Sequence, residues 1–317
     1  MIALDVGGTG LKGALLDPRL TPVTLTRRPT PQRGGPDAVV AAISDELREL
    51  RDQARERGLA ARRAGVVVPG IVDQASGTAV RSANLGWSDL PLAQILGDAV
   101  GLPVAFGHDV RAGALAEGRI GAGRGVRDCL FVAVGTGIAA AVLRDGRPVP
   151  GSGYAGELGH LVVDPDGADC PCGSRGCLET LASASAIAAA YGRRTGRAVQ
   201  GADQVAAGVA GADTAAVAVW EGAVRALATA LAAYATLLAP ERVVLGGGLA
   251  QAGDLLIQPL RRRLDQQLTF QRRPEIVRAE VGDLAGCLGA GIMAWDAEGV
   301  DVPASGTGRR TARTPAA

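Results

Sequence analysis

Net charge is nearly absent from this sequence: 33 basic and 32 acidic residues leave +1 over 317 positions. That balance leaves no electrostatic footprint for nucleic acid or an anionic membrane. The start, MIALDVGG, has neither a basic segment nor an apolar run, so it is not a secretory leader. Long apolar runs are lacking too. The most apolar long stretch, AVRALATALAAYATLLA at 223–239, is alanine-rich, carries Arg225 and reads as a buried helix rather than a membrane span. Cysteines number five, an odd count with three clustered, which excludes a disulfide framework and suits a cytoplasmic protein with a thiolate metal site. Lysine is reduced to one residue, Lys12, among the 33 basic positions. Histidine is reduced to His108 and His160.

What is present is the content of a globular chain, 47% hydrophobic and 21% charged, long enough for two domains. Residues 2–27 read as a meander of three strands. Apolar Val39, Val40, Ile43, Leu47 and Leu50 recur at helical spacing over 37–58, behind the start signal Pro36-Asp37. GVVVPG (65–70), PVAFG (103–107), CLFVAVGTG (129–137), RVVLGGG (242–248) and EIVRAEV read as strands. Helices are expected at 90–100, from Val110, around 180–192 and 213–239, in DLLIQPLRRRLDQQL and in LAGCLGAGIMAW. This alternation predicts an α/β architecture. An internal echo, LDVGGTG at 4–10 and VAVGTGI at 132–138, predicts two similar halves with a cleft between them.

Three strands end in glycine turns: Gly7, Gly8, Thr9 and Gly10; Gly135, Thr136 and Gly137; and Gly246, Gly247 and Gly248. Glycine lets a backbone approach phosphate closely with its N–H groups forward, although ordinary tight turns use it as well. None of the three is a P-loop or a dinucleotide fingerprint. Asp5, beside the first turn, either holds Mg²⁺ near phosphates or caps the turn. Lys12, just beyond it, either neutralises phosphate or is a solvated surface charge.

The most specific segment is GELGHLVVDPDGADCPCGSRGCLE, residues 156–179. Cys170, Cys172 and Cys177 with His160 form a tetrahedral zinc set, and Pro171, Gly173 and Gly176 allow the tight path it requires. The alternative is buried free cysteines beside a core histidine. Glu157 and Glu179 either support the metal ligands or accept hydrogen bonds from a polyol.

GGTGLKG, GHDVRAG, GELGH and CPCGSRGCLE, in that order, resemble the ROK family of bacterial sugar kinases and sugar-responsive repressors, from residue 2 to about 299. The resemblance implies an actin-like ATPase (RNase H-like) fold, two domains around a nucleotide and sugar cleft. The expected division is 1–118, completed by the helix at 285–299, then 119–284 with the zinc loop, then a disordered tail at 300–317. The resemblance implies that the first two glycine turns face the ATP phosphates and the third lies near the adenosine. Asp109 is implied as catalytic base, Glu157, His160 and Glu179 as sugar contacts, and Asn84 in SANLGW as a further one. Family kinases usually carry Asn-Asp where this chain has His108-Asp109, which puts the sugar contact of His108 and the identity of the sugar in question. Expected ligands are ATP, Mg²⁺ and a structural Zn²⁺; polyphosphate is a possible alternative donor. A homodimer or homotetramer is expected. The repressor branch would need a helix-turn-helix ahead of a first strand that here begins at residue 2.

Overall fold

The computed structural model describes residues 1–82 and 84–300, so the tail expected at 300–317 lies outside the described residues from 301 onward. The first lobe opens on the meander β1 (Ile2–Val6), β2 (Gly10–Leu16) and β3 (Pro22–Pro29), with Asp5 opposite Lys12 in register. Helix α1 (Gly35–Glu56) begins where the sequence signals it, with proline in its first turn and Asp37 at the positive end of its dipole. It buries Val39, Ile43, Leu47 and Leu50 on one face. Strand β4 (Ala64–Val68) is buried throughout, as befits a strand covered on both faces.

Next comes a feature the apolar periodicity did not announce. β5 (Ile71–Asp73), β6 (Thr78–Ser82) and β7 (Trp87–Leu90) form a separate antiparallel sheet. Helix α2 (Leu92–Val100), strand β8 (Val104–His108) and helix α3 (Asp109–Ile120) follow. The main sheet has the order β3-β2-β1-β4-β8, with β1, β4 and β8 parallel.

The second lobe repeats this plan. β9 (Cys129–Val134), β10 (Ile138–Arg144) and the short β11 (Arg147–Pro148) form its meander. After the cysteine loop come α4 (Glu179–Ala182), α5 (Ala184–Thr195), α6 (Ala202–Ala210), α7 (Thr214–Leu238), β12 (Arg242–Gly246), α8 (Asp254–Gln267) and β13 (Glu275–Arg278). The sheet order is β11-β10-β9-β12-β13, the counterpart of the first. The echo between LDVGGTG and VAVGTGI thus falls on equivalent strand-turn-strand units. Helix α7 is long and apolar enough to cross a membrane, yet its Trp220, Val224, Leu227 and Leu231 are core residues of this lobe.

Helix α9 (Ala285–Asp296) returns to the first sheet, where its backbone touches β4. A Cβ on Gly65 would lie 1.9 Å from the Ala290 carbonyl oxygen, and one on Gly289 would lie 2.0 Å from that of Ala112. Gly65 of β4 and Gly289 of α9 therefore permit a close crossing of α9 with both β4 and α3. Helix α3 packs on α9 and also on β10, so it spans the lobes. Its fully buried Glu117 accepts from the backbone N–H of Ala122 at 2.8 Å, Glu280 at 3.2 Å and Val281 at 2.8 Å. One carboxylate therefore fastens the two chain crossings between the lobes, and its burial is matched by hydrogen bonds.

Candidate active site

Asp109 is the first residue of α3, directly after the end of β8. Its Oδ1 accepts from the Val110 N–H at 2.7 Å, and its side chain is 25% exposed. Burial pushes its carboxyl up to about 6, against the opposing pull of the Val110 N–H and the Arg111 cation. Asp5, at the end of β1, is pushed up to about 7 by burial and then by the charge of Asp109, with Lys12 acting the other way. Two carboxylates therefore face one poorly solvated space. Gly286, in the first turn of α9, makes room for Asp5: a Cβ there would lie 2.6 Å from Asp5 Oδ2. Lys12 Nζ donates to the Asp283 carbonyl at 2.8 Å, just before α9. The lone lysine thus ties β2 to the returning chain while standing beside the first glycine turn.

That turn is closed by Gly7 N–H donating to the Gly10 carbonyl at 2.8 Å, and Thr30 Oγ1 donates to the Gly7 carbonyl at 2.7 Å. Gln32 Nε2 donates to the Gly8 carbonyl at 2.9 Å. Exposed Asn84, after β6, borders the turn, its Cβ 3.9 Å from where one on Gly8 would sit. In the second turn, Gly135 N–H donates to the Gly137 carbonyl at 2.9 Å and Ser185 Oγ to the Thr136 carbonyl at 2.8 Å. Glu179, first residue of α4, accepts from Ile138 N–H at 2.7 Å, and a Cβ on Gly137 would lie 2.5 Å from its Oε2. Glu179 therefore braces the second turn from the end of the cysteine loop. The third turn packs on the second's strand: a Cβ on Gly247 would lie 2.4 Å from the Val134 carbonyl, and its φ of +81° is one that glycine adopts freely.

His108 caps α3. Its Nδ1 accepts from Val110 N–H at 3.2 Å and Arg111 N–H at 3.4 Å, which leaves the ring proton on Nε2. Burial, and then the Arg111 cation, push its pKa down to about 4, so the ring is neutral near neutral pH. Only its Nε2–H edge is left to meet a ligand.

The cysteine loop gathers His160, Cys170, Cys172 and Cys177, with one donor atom from each within 4.8 Å of the others. His160 Nδ1 lies 3.7 Å from Cys170 Sγ, and Cys172 Sγ lies 3.7 Å from Cys177 Sγ. A tetrahedron with Zn–S bonds of about 2.3 Å has edges of about 3.8 Å. The donor set and spacing therefore fit zinc. Gly176 is required for the path, since a Cβ there would lie 1.5 Å from the Asp164 carbonyl oxygen. With Nδ1 turned to the sulfurs, His160 Nε2 is 3.9 Å from Glu157 Oε2.

Two contributors escaped the sequence reading: buried Arg111 beside Asp109, and Gly286 against Asp5. A cavity of about 770 Å³ is lined by His108 and Arg111 but not by Asp109.

A protein-family model described as "ROK family" matches residues 1–297. A glucokinase of Halalkalibacterium halodurans is 32% identical, covering 92% of this chain and 94% of the relative. An N-acetylmannosamine kinase of Citrobacter koseri is 33% identical, covering 92% and 98%. Among solved structures, a ROK family glucokinase from Streptomyces griseus in complex with glucose and AMPPNP superposes with a TM-score of 0.80 at 27% identity, covering 93% of this chain and 99% of that one.

Proposed function

The chain belongs to the ROK family, and from that premise we propose that it is an ATP-dependent hexose kinase that transfers the γ-phosphoryl group to a sugar hydroxyl, the 6-OH by preference. Its two sheets of like order are those of an actin-like ATPase. The observation that carries the reading is the Asp109 carboxylate, held up to about 6 beside Asp5 where the first glycine turn and α3 converge.

Transition states for phosphoryl transfer are loose, so positioning and charge neutralisation supply most of the catalysis. The amides of the turns at Gly7–Gly10 and Gly135–Gly137 receive the phosphates, and Gly246–Gly248 borders the nucleoside. Asp109 accepts a hydrogen bond from the sugar hydroxyl and takes its proton as the new O–P bond forms and the β–γ bridge breaks, leaving ADP. Asn84, His108 through Nε2–H, Glu157, His160 and Glu179 fix the sugar. Asp5, a hard oxygen donor raised by burial and then by the Asp109 carboxylate, would hold Mg²⁺, which would supply charge neutralisation at the phosphates. His160, Cys170, Cys172 and Cys177 hold zinc, which supplies a rigid cross-link to the loop. We place the enzyme in the cytoplasm as a homodimer or homotetramer.

The test is turnover across glucose, mannose, N-acetylglucosamine, N-acetylmannosamine, fructose and allose, with ATP or polyphosphate as donor. Sugar-dependent ADP release with at least one hexose is expected, with ATP the better donor. N-acetylmannosamine belongs in the panel because the Citrobacter koseri relative is as similar to the chain as the glucokinase. No sugar-dependent release with any acceptor would leave a sugar-binding protein without catalysis.

A further inference from the structure

We propose that Arg111 is a latch between the lobes, a positioning residue that couples their closure on the sugar to the setting of Asp109; the inference rests on the kinase reading. Arg111 lies in the first turn of α3 and is 4% exposed. Its Nη1 donates to the Gly153 carbonyl at 3.2 Å, and its Nη2 to the Val72 carbonyl at 3.4 Å. Val72 belongs to β5 of the first lobe. Gly153 belongs to the second-lobe turn that leads into Glu157. One guanidinium therefore grips a backbone oxygen from each side of the cleft. The two segments meet without a side chain between them, since a Cβ on Gly153 would lie 2.6 Å from the Val72 carbonyl oxygen.

The grip is incomplete in this state. The bond to Gly153 is at the upper end of the normal N–H···O range and the bond to Val72 is beyond it, and Arg111 Nε is closed to solvent with no hydrogen-bond partner among the described residues. Buried donors are normally filled, because an orphan keeps the cost of losing its water. With Gly153 already against Val72, that contact acts as the pivot, and movement of the second lobe toward the first brings Glu157 toward a cation already flanked by Asp109. Both carboxylates favour the charged guanidinium against the burial that opposes it. Closure therefore gains where it touches the residue two positions from the base, and Glu157 is drawn to the sugar side in the same movement.

Arg111→Met and Arg111→Lys test this. The first keeps an apolar stem without donors; the second keeps the charge without the fork. In the coupled assay with glucose, Arg111→Met is expected to lose about tenfold in kcat/KM for sugar, the middle of the range for coupled sites, with the ATP KM within about twofold. The acid limb of that profile should move to higher pH, because the cation favouring the Asp109 carboxylate is gone. The other groups facing Asp109 are neutral His108 at its own helix cap and Asp5 from β1. Arg111→Lys should restore the limb but not the sugar KM. Small-angle scattering should show wild-type compaction on adding glucose with AMPPNP, and none in Arg111→Met. A variant that melts lower, compacts normally and keeps the wild-type acid limb would make Arg111 only a packing residue and overturn the latch. If wild type turned over no hexose, the kinase reading would fall by itself, and scattering would still decide the latch.

Discussion

Asp109→Asn is expected to lower turnover by about 10²–10⁴-fold, the contribution of a positioned general base. The substitution preserves shape, and the amide oxygen can still accept from Val110 N–H, so α3 keeps its first turn. Sugar and ATP KM should therefore stay within a few-fold, which separates a lost base from a lost binding site. The wild-type pH profile carries the same assignment. A base must be unprotonated to work, and burial raises Asp109 to about 6, so kcat/KM should climb as pH rises through that value and level off above it. In Asp109→Asn that limb should vanish from the residual rate. Wild-type turnover in the variant would remove Asp109 from the mechanism.

The second large effect is expected from the metal. Cys177 is fully buried, and its sulfur lies 3.7 Å from that of Cys172. Cys177→Ala, or a chelator, should release zinc and raise the sugar KM by about 10–100-fold, the usual cost of loosening groups that orient a metal site. The reason is His160. Nδ1 faces the sulfurs and Nε2 faces Glu157, so on the proposed reading one ring would serve both the metal set and the sugar. The loop also ends at Glu179, which braces the second glycine turn through Ile138 N–H. ATP KM should change less than sugar KM, and added zinc should restore the chelated protein. Metal-free protein that stays folded with an unchanged sugar KM would make the loop a structural knot alone.

Much of this was legible in the sequence, for physical reasons. The meander, α1 and the β8–α3 junction are bounded by proline, glycine and apolar spacing, which act locally. The gathering of His160, Cys170, Cys172 and Cys177 was legible because three cysteines in eight residues have few other uses. The sheet β5–β7 was not, because strands of three to five residues are too short to show alternation. Helix α6 (Ala202–Ala210) was missed in a stretch of alanine and glycine with little periodic contrast. Arg111 was hidden by composition: with one lysine among 33 basic residues, another arginine carries no signal. Its meaning depends on carbonyls 39 and 42 residues away, which only the fold brings together. Lys12 stood out as the lone lysine, yet its bond to the Asp283 carbonyl is likewise a product of the fold.

The central claim is that this site moves a phosphoryl group from ATP to a hexose hydroxyl. Phosphorus NMR of purified protein with Mg²⁺, ATP and glucose tests it most directly. The account predicts a hexose 6-phosphate resonance growing in step with ADP, with no inorganic phosphate above the sugar-free control. Release of inorganic phosphate without sugar phosphate, or no change in the ATP resonances with any hexose of the panel, would contradict it.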